Sequence, residues 1–286
     1  MRLARVIIAD APTAQVALER DGCLYDVEVL EARFATRFSP DRLANAGDFH
    51  TRVVALGGAG LDELDARLVG GDRPTEARLA PGTFVWLAPF DGERSAYLQL
   101  DGTGSDGVPI YRLANPRSVV GHDATLSFGP DETRAEARLD VGVLLGEDLA
   151  RASASDVRAA VLGYALLDDW TGLDERARAE GAGRGQASAR DRVTQLGPVL
   201  LTTASAEPLA DLRAQLRLDE RPVFDGTLGL DLERLFADIA ALSEIVELRA
   251  GDLVGAGLSL ARVVAPPGAR VDLVAERLGR LSARVF

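Results

Sequence analysis

The sequence contains no lysine; all 32 of its basic residues are arginine. That absence excludes a Schiff-base lysine, a pyridoxal-phosphate anchor, a phosphate-loop lysine and a lysine general base. Cysteine is nearly absent too. Single Cys23 excludes an internal disulfide framework and any multi-cysteine metal site. Two histidines, His50 and His122, are too few for a histidine-rich zinc centre. Basic charge as a whole is in deficit: 44 acidic residues leave a net charge of −12. This balance opposes a nucleic-acid groove and an anionic membrane surface, since both call for clustered positive charge. No apolar run approaches the ~20 residues of a membrane span. The opening stretch, MRLARVIIADAP, reads as a strand rather than a signal peptide, so the expectation is a cytoplasmic protein. G-x-S-x-G and H-E-x-x-H motifs are missing as well.

What is present is a chain of 286 residues, enough for about two domains. Val6 to Ile8 and the alternating Tyr25 to Val29 read as strands, and Leu61, Leu64 and Leu68 have helical spacing. Gly70 to Pro74 is a break, which places a small α+β domain at 1–75 and the remainder at 76–286. The second section reads as strands with few helices. Thr83 to Leu87 is predicted as a buried strand, and Asp101 to Gly107 (DGTGSDG) as a turn. The runs Val141–Leu145 and Gly163–Leu167 are expected to be central strands. Between them, Ser155 is expected to cap a short helix through Val157 and Ala160. Residues 174–195 are polar and glycine-rich, which predicts a solvated loop, either a functional lid or a merely mobile insertion. Asp231 to Leu242 is the clearest helix, with Leu232, Leu235, Phe236, Ile239 and Leu242 on one face. Strands at 253–254, 271–274 and 283–285 close the chain.

Two clusters carry candidate chemistry. Asp168 and Asp169 end an apolar run, and a carboxylate at the rim of a core is costly unless it is paired or bound. Glu136, Arg138 and Asp140 alternate along a strand and so share one face. The plain alternative for these three is an exposed, salt-bridged edge. Cys23 has no base nearby in sequence and reads as a bystander thiol, and His122 as a turn residue.

The order of these segments resembles the fumarylacetoacetate hydrolase superfamily over nearly the whole chain. Asn115 to Gly121 is similar to the strand entering that family's core. RLDVGVLLG (138–146) is similar to its motif of two glutamates one residue apart before an apolar run. GYALLDDWTGLD (163–174) is similar to GY-x-x-x-ND-x-[TS]-x-RD. Leu196 to Thr202, the helix at 231–242 and Ala250 to Val254 match later family segments in order.

The resemblance implies an α+β fold: a β-rich mixed β-roll core with a small N-terminal domain, often as a homodimer. It also implies Mg or Mn held by two glutamates and an aspartate, which chelates a 2-oxo or 1,3-dicarbonyl acid and stabilises an enolate. Carried over position by position, Asp169 is the third ligand, Asp140 stands for the second glutamate and Arg138 for the first. The family's loop lysine has no counterpart; Gln186 or Ser188 falls nearby, and Arg184 and Arg190 join Gln186 as expected substrate-binding residues. Glu93 and Ala96 fall near the family's His–Glu pair, and Gly257-Leu258-Ser259 near its Gly-Thr-Pro. A guanidinium ~4 Å from a divalent ion is repelled by roughly 8 kcal/mol at an effective dielectric of ~20.

Three readings follow. In the first, no cofactor is needed: Arg138 takes the cation's place, while Asp140, Asp169 or Glu93 moves protons on a small carbonyl acid, with neither nucleic acid nor membrane as partner. In the second, Glu136, Asp140 and Asp169 form a rearranged Mg or Mn site for C–C cleavage or decarboxylation. In the third, the chain is a non-catalytic relative.

Overall fold

A computed structural model describes residues 1–8, 13–34, 49–203, 209–258 and 261–286, with the side chains of 50–52 and 55–59 left aside. Its longest strand is Ala135–Leu145, which is buried along nearly its whole length. The reason is its position in the sheet. Val161–Asp169 pairs with it antiparallel on one edge. Ala261–Ala265 and Leu253–Gly255 share the other edge, pairing with its first and second halves. A strand with neighbours on both edges and packing on both faces has no solvated side, so its apolar run is continuous rather than alternating.

Among the described residues this sheet has 14 strands. From its centre it runs outward through Thr194–Thr202 to Arg2–Ile8, Gln15–Arg20, Cys23–Asp26 and Arg78–Leu79. In the other direction it runs through Leu253–Gly255 to Tyr97–Thr103 and Pro109–Ala114. The front section is thus hydrogen-bonded to the core through Arg2–Ile8 and Thr194–Thr202. A second, five-stranded sheet orders Arg221–Thr227, Arg213–Leu218, Arg270–Ala275, Gly279–Val285 and Ala124–Leu126. The main apolar core fills the space between the sheets and against the helix Leu232–Ser243, which buries Leu235, Phe236, Ile239 and Leu242 as its spacing predicts. Asp231 caps that helix, accepting from the Arg234 N–H. The mixed, strand-rich architecture is the α+β class expected.

Four local expectations are corrected. The strand predicted over Tyr25–Val29 stops at Asp26, and a helix, Val27–Phe34, follows. Asp26 Oδ1 accepts from the N–H of Glu28 at 2.9 Å, so the side chain that looked like part of an alternation starts a helix instead. Phe84–Leu87 is a strand, but half-buried, with Val85 62% exposed. The helix Ala154–Ala160 is capped by Ser153, not Ser155: Ser153 Oγ accepts from the Asp156 N–H while the Asp156 carboxylate accepts from the Ser153 N–H. Finally, 174–195 is not a loop. It forms the helices Leu173–Gly181 and Ala187–Arg190 and then enters a strand at Thr194. Its low apolar content misleads because its start is anchored by polar groups. Glu132 accepts from the Asp174 and Glu175 N–H groups at 2.7 and 3.0 Å, placing negative charge at the helix N-terminus.

Glu31 is a buried exception to polar satisfaction. It is 3% exposed, and neither carboxylate oxygen has a hydrogen-bond partner among the described residues. Burial, with Glu28 nearby, pushes its carboxyl up to about 7. Because the folded form binds the proton more tightly than the unfolded form, this group costs stability as pH rises from about 4.5 to about 7, and the cost is constant above that. Two predictions follow from these observations. Glu31→Gln is expected to raise the melting temperature at pH 8 and to leave it unchanged at pH 4.5, as read by thermal denaturation. Ser153→Ala is expected to cost about 1 kcal/mol in urea unfolding, whereas Ser155→Ala stays within ~0.5 kcal/mol.

Candidate active site

The antiparallel register brings the two candidate clusters together. Leu139 pairs with Asp168 and Asp140 with Leu167, so Arg138 and Asp169 lie side by side across two strands. Arg138 Nη2 donates to Asp169 Oδ2 at 2.8 Å and to Asp140 Oδ2 at 3.4 Å. Its own backbone N–H donates to Asp168 Oδ1 at 2.8 Å. Two further guanidiniums reach the same carboxylate. Arg190 Nη2 donates to Asp169 Oδ2 at 2.7 Å, and Arg112 Nη2 to Asp169 Oδ1 at 2.6 Å. Three arginines therefore converge on Asp169, a residue 2% exposed.

Asp101 and Asp191 complete the network. Asp101 accepts from Arg190 Nη1 at 2.8 Å and Nη2 at 2.7 Å, a two-pronged pair that fixes the guanidinium plane. Asp191 accepts from Arg112. Burial raises the Asp101 carboxyl, but the hydrogen bonds and charge of Arg190, with Arg138 and Arg112, carry it below its ordinary value. At Arg138 burial opposes the charge, and Asp140 and Asp169 outweigh it, so the guanidinium stays firmly protonated.

Asp140 is fully buried and does not line the cavity. Its Oδ1 accepts from the N–H groups of Val141 and Leu258 at 2.8 and 2.9 Å. Its Oδ2 accepts from Gln99 Nε2 at 2.9 Å and the Gly257 N–H at 3.1 Å. Gln99 in turn accepts from the Tyr97 hydroxyl at 2.5 Å. Glycines permit this close assembly. A Cβ at Gly255 would lie 2.1 Å from Gln99 Oε1, and Gly257 has φ +73° with the Leu100 carbonyl 2.4 Å from where its Cβ would stand. Burial pushes the Asp140 carboxyl up, and Arg138 with the surrounding donors pulls it back.

In front of the network lies a cavity of about 240 Å³. Four arginines, Arg138, Arg176, Arg190 and Arg262, face three carboxylates, Asp101, Glu136 and Asp169; Thr171 and Gln186 complete the wall. Glu136 is the least encumbered of the acids, its one charged partner among the described residues being Arg262 at 3.4 Å. Arg176 makes no hydrogen bond or ion pair with the described residues and is the uncommitted cation of the wall.

The expected site residues are therefore placed as follows. Arg138, Asp169 and Arg190 meet directly; Glu136 and Gln186 line the same cavity. Asp140 stands behind Arg138. Arg184 is exposed and turned towards Glu175 at 3.7 Å, away from the lining residues. Glu93 is exposed in the turn after Asp91, whose side chain accepts from its N–H, and does not line the cavity. Ser259 lies outside the described residues. Sequence reasoning missed Arg112, Arg176 and Asp101. Arg112 sits in a short alternating strand, and Asp101 belongs to what was read as a turn but is strand up to Thr103.

A divalent cation at the family position does not fit these residues. The Asp140 oxygens are engaged by four N–H donors, the Asp169 oxygens by three guanidiniums, and Arg138 occupies the space between them. Among the described residues no three His, Cys, Asp or Glu side chains are grouped to hold a metal.

Comparisons with known proteins agree with this architecture. Residues 96–286 match the family model described as fumarylacetoacetate hydrolase C-terminal. An oxaloacetate tautomerase of Bacillus subtilis is 24% identical over 185 residues, which is 62% of this chain and 61% of that protein, so the match spans less than two thirds of that relative. A maleylpyruvate hydrolase from Sphingobium superposes with a TM-score of 0.72 at 18% identity, covering 100% of this chain and 99% of the other. The same hydrolase is known with manganese(II) and pyruvate. A fumarylacetoacetate hydrolase from Exiguobacterium antarcticum superposes at 0.71 with 17% identity, again over 100% and 99% of the two chains.

Removing the Asp140 carboxylate would leave four N–H donors without their acceptor and Arg138 without one of its carboxylates. Asp140→Ala is expected to cost about 3–5 kcal/mol in chemical unfolding, while Arg184→Ala, an exposed change, should lie within ~0.5 kcal/mol.

Proposed function

We propose that this chain, which belongs to the fumarylacetoacetate hydrolase family, acts on a small 2-oxo or 1,3-dicarbonyl acid by enolate chemistry, with Arg138 in the electrostatic place of the family's cation. The supporting observation is the Arg138 guanidinium held between Asp140 and Asp169 in the wall of a cavity that carries an excess of one arginine. A single positive charge ~4 Å from a developing enolate oxygen is worth about 4 kcal/mol in gross Coulomb energy at an effective dielectric of ~20. Preorganisation keeps much of that usable, because Asp169 and Asp140 fix the guanidinium before substrate arrives.

The roles divide by how committed each group is. Arg176, uncommitted in the wall, takes the substrate carboxylate, with Gln186 and Thr171 beside it. Arg138 donates to the carbonyl oxygen that becomes the enolate. Glu136 is the carboxylate best placed to move the proton: it lines the cavity with one charged partner among the described residues, whereas both Asp169 oxygens are taken up by three guanidiniums. In a tautomerisation, the α-carbon proton passes to Glu136, the C–C double bond forms, and the proton then returns to oxygen. Asp140 is a positioning residue for Arg138.

The test uses chelator-treated protein and the keto–enol interconversion of oxaloacetate followed by enol absorbance. Activity without added metal is expected, with Arg138→Gln lowering kcat/KM by about a hundredfold and Arg176→Gln acting mainly on KM. Activity that appears only with added manganese favours the metal-dependent reading. A fully active Arg138→Gln variant overturns the role given to that residue. Isomerisation, decarboxylation and C–C cleavage are resolved by the same assay run on dicarbonyl acids of increasing length.

A further inference from the structure

A second concavity lies on another part of the molecule and shares no residue with the first. It has a volume of about 570 Å³, within the usual range of ~300–1,000 Å³ for small-molecule sites. It opens between the large sheet, at Leu24, Leu79, Phe84 and Trp86, and the five-stranded sheet at Arg270 and Arg280. Clefts between packed layers are frequent ligand sites.

Its chemistry is two-sided. One wall is aromatic: Phe84 and Trp86 stand edge to face at 5.4 Å, and Trp86 and His122 do so at 5.5 Å. Trp86 is half-buried, whereas the other tryptophan, Trp170, is fully buried against Phe128. Arginines on the five-stranded sheet line the cleft as well. Arg270 Nε donates to buried Asp272 at 3.2 Å, and Arg280 Nε and Nη2 donate to it at 3.0 and 2.6 Å. Nη1 of each arginine makes no hydrogen bond with the described residues, so two guanidiniums share one carboxylate and present spare donors. His122 adds a third. Its Nδ1 accepts from the Ser282 N–H at 3.1 Å, which places the ring proton of the neutral form on Nε2. Burial lowers the His122 pKa, so the neutral donor persists at pH 7. Arg78 is exposed and makes no hydrogen bond or ion pair with the described residues, and Arg2 is paired with Glu19. The lining carries four arginines, Arg2, Arg78, Arg270 and Arg280, against two carboxylates, Glu19 and Asp123, a local excess of positive charge on a chain of net charge −12.

We propose that this cleft is a second ligand site, specific for a planar aromatic carboxylate whose ring packs on Trp86 and whose anionic group meets Arg270, Arg280 and His122. A ring against Trp86 gains stacking as well as burial. The carboxylate satisfies donors that are already held in place, so little ordering cost opposes binding. The site is independent of the reaction assigned to Arg138.

The test is calorimetric titration of the full chain with sodium 2-naphthoate at pH 7, followed in parallel by the two tryptophan indole N–H signals in nitrogen-15 spectra. One saturable site tighter than ~1 mM is expected. The Trp86 signal should shift and the Trp170 signal should stay. Trp86→Ala should weaken binding by about tenfold, and Arg78→Gln by a few-fold. Uncharged 2-naphthol should bind at least about tenfold more weakly than naphthoate. The proposal is overturned by an absence of saturable binding, by an unmoved Trp86 signal, or by equal affinity for 2-naphthol. It is also overturned if the cleft is closed by a second copy, seen as a dimer that Trp86→Ala converts to monomer in sedimentation. Should Trp86→Ala fail to fold, the wild-type indole shift and the naphthol comparison decide alone.

Discussion

A carboxylate buried at the end of a strand sets the terms for the rest of this site. Asp169 closes the Val161–Asp169 strand almost out of contact with water, where an unpaired charge would cost several kcal/mol. Three guanidiniums answer it, one each from the Ala135–Leu145 strand, the Pro109–Ala114 strand and the helix Ala187–Arg190. Those arginines then require acids of their own, and Asp140, Asp101 and Asp191 supply them. Segments distant in sequence are thereby tied to one point.

The tie explains the ordered polar segment at 173–191. Its helices bury little besides Glu175, Ala179 and Ala189. Their position is fixed by charge: Glu132 at the first helix's N-terminus, Arg190 on Asp101 and Asp169, and Asp191 on Arg112. Buried ionic networks of this kind are weak as net stabilisers but costly to break singly, because each deletion leaves a partner uncompensated. The same network that seats the segment also fills the coordination space a cation would need. A structurally similar hydrolase is known with manganese(II); in this chain the Arg138 guanidinium lies between Asp140 and Asp169.

The second concavity follows a similar plan with different parts. Buried Asp272 holds two arginines in place and leaves donors over, as Asp169 and Asp140 hold Arg138. Both cavities present arginines held by buried carboxylates, which suit organic anions. They differ in their walls: the first is nearly all polar, while the second is floored by Phe84 and Trp86.

The amino-acid sequence by itself determined the core strands, the late helix and the exclusion of lysine chemistry. Continuous apolar runs at 141–145 and 163–167, the 3.6-residue periodicity at 232–242 and the counted residues need no partner to be read. It also placed Arg138 and Asp169 in one site, because the order of motifs matched a known family. Tertiary structure decided what those residues touch. Ser153 rather than Ser155 caps its helix because one carboxylate, that of Asp156, reaches back to it. The helices at 173–181 and 187–190 are ordered because Glu132, Asp101 and Asp169, up to 89 positions away in sequence, satisfy their charges and N–H groups. Arg112 and Arg176 belong to the site because of strand register and helix placement. Charge pairing has no periodicity, and it depends on distances of a few ångströms between remote segments. The same arginine is a solvated surface residue or an active-site cation according to which carboxylate the fold delivers to it.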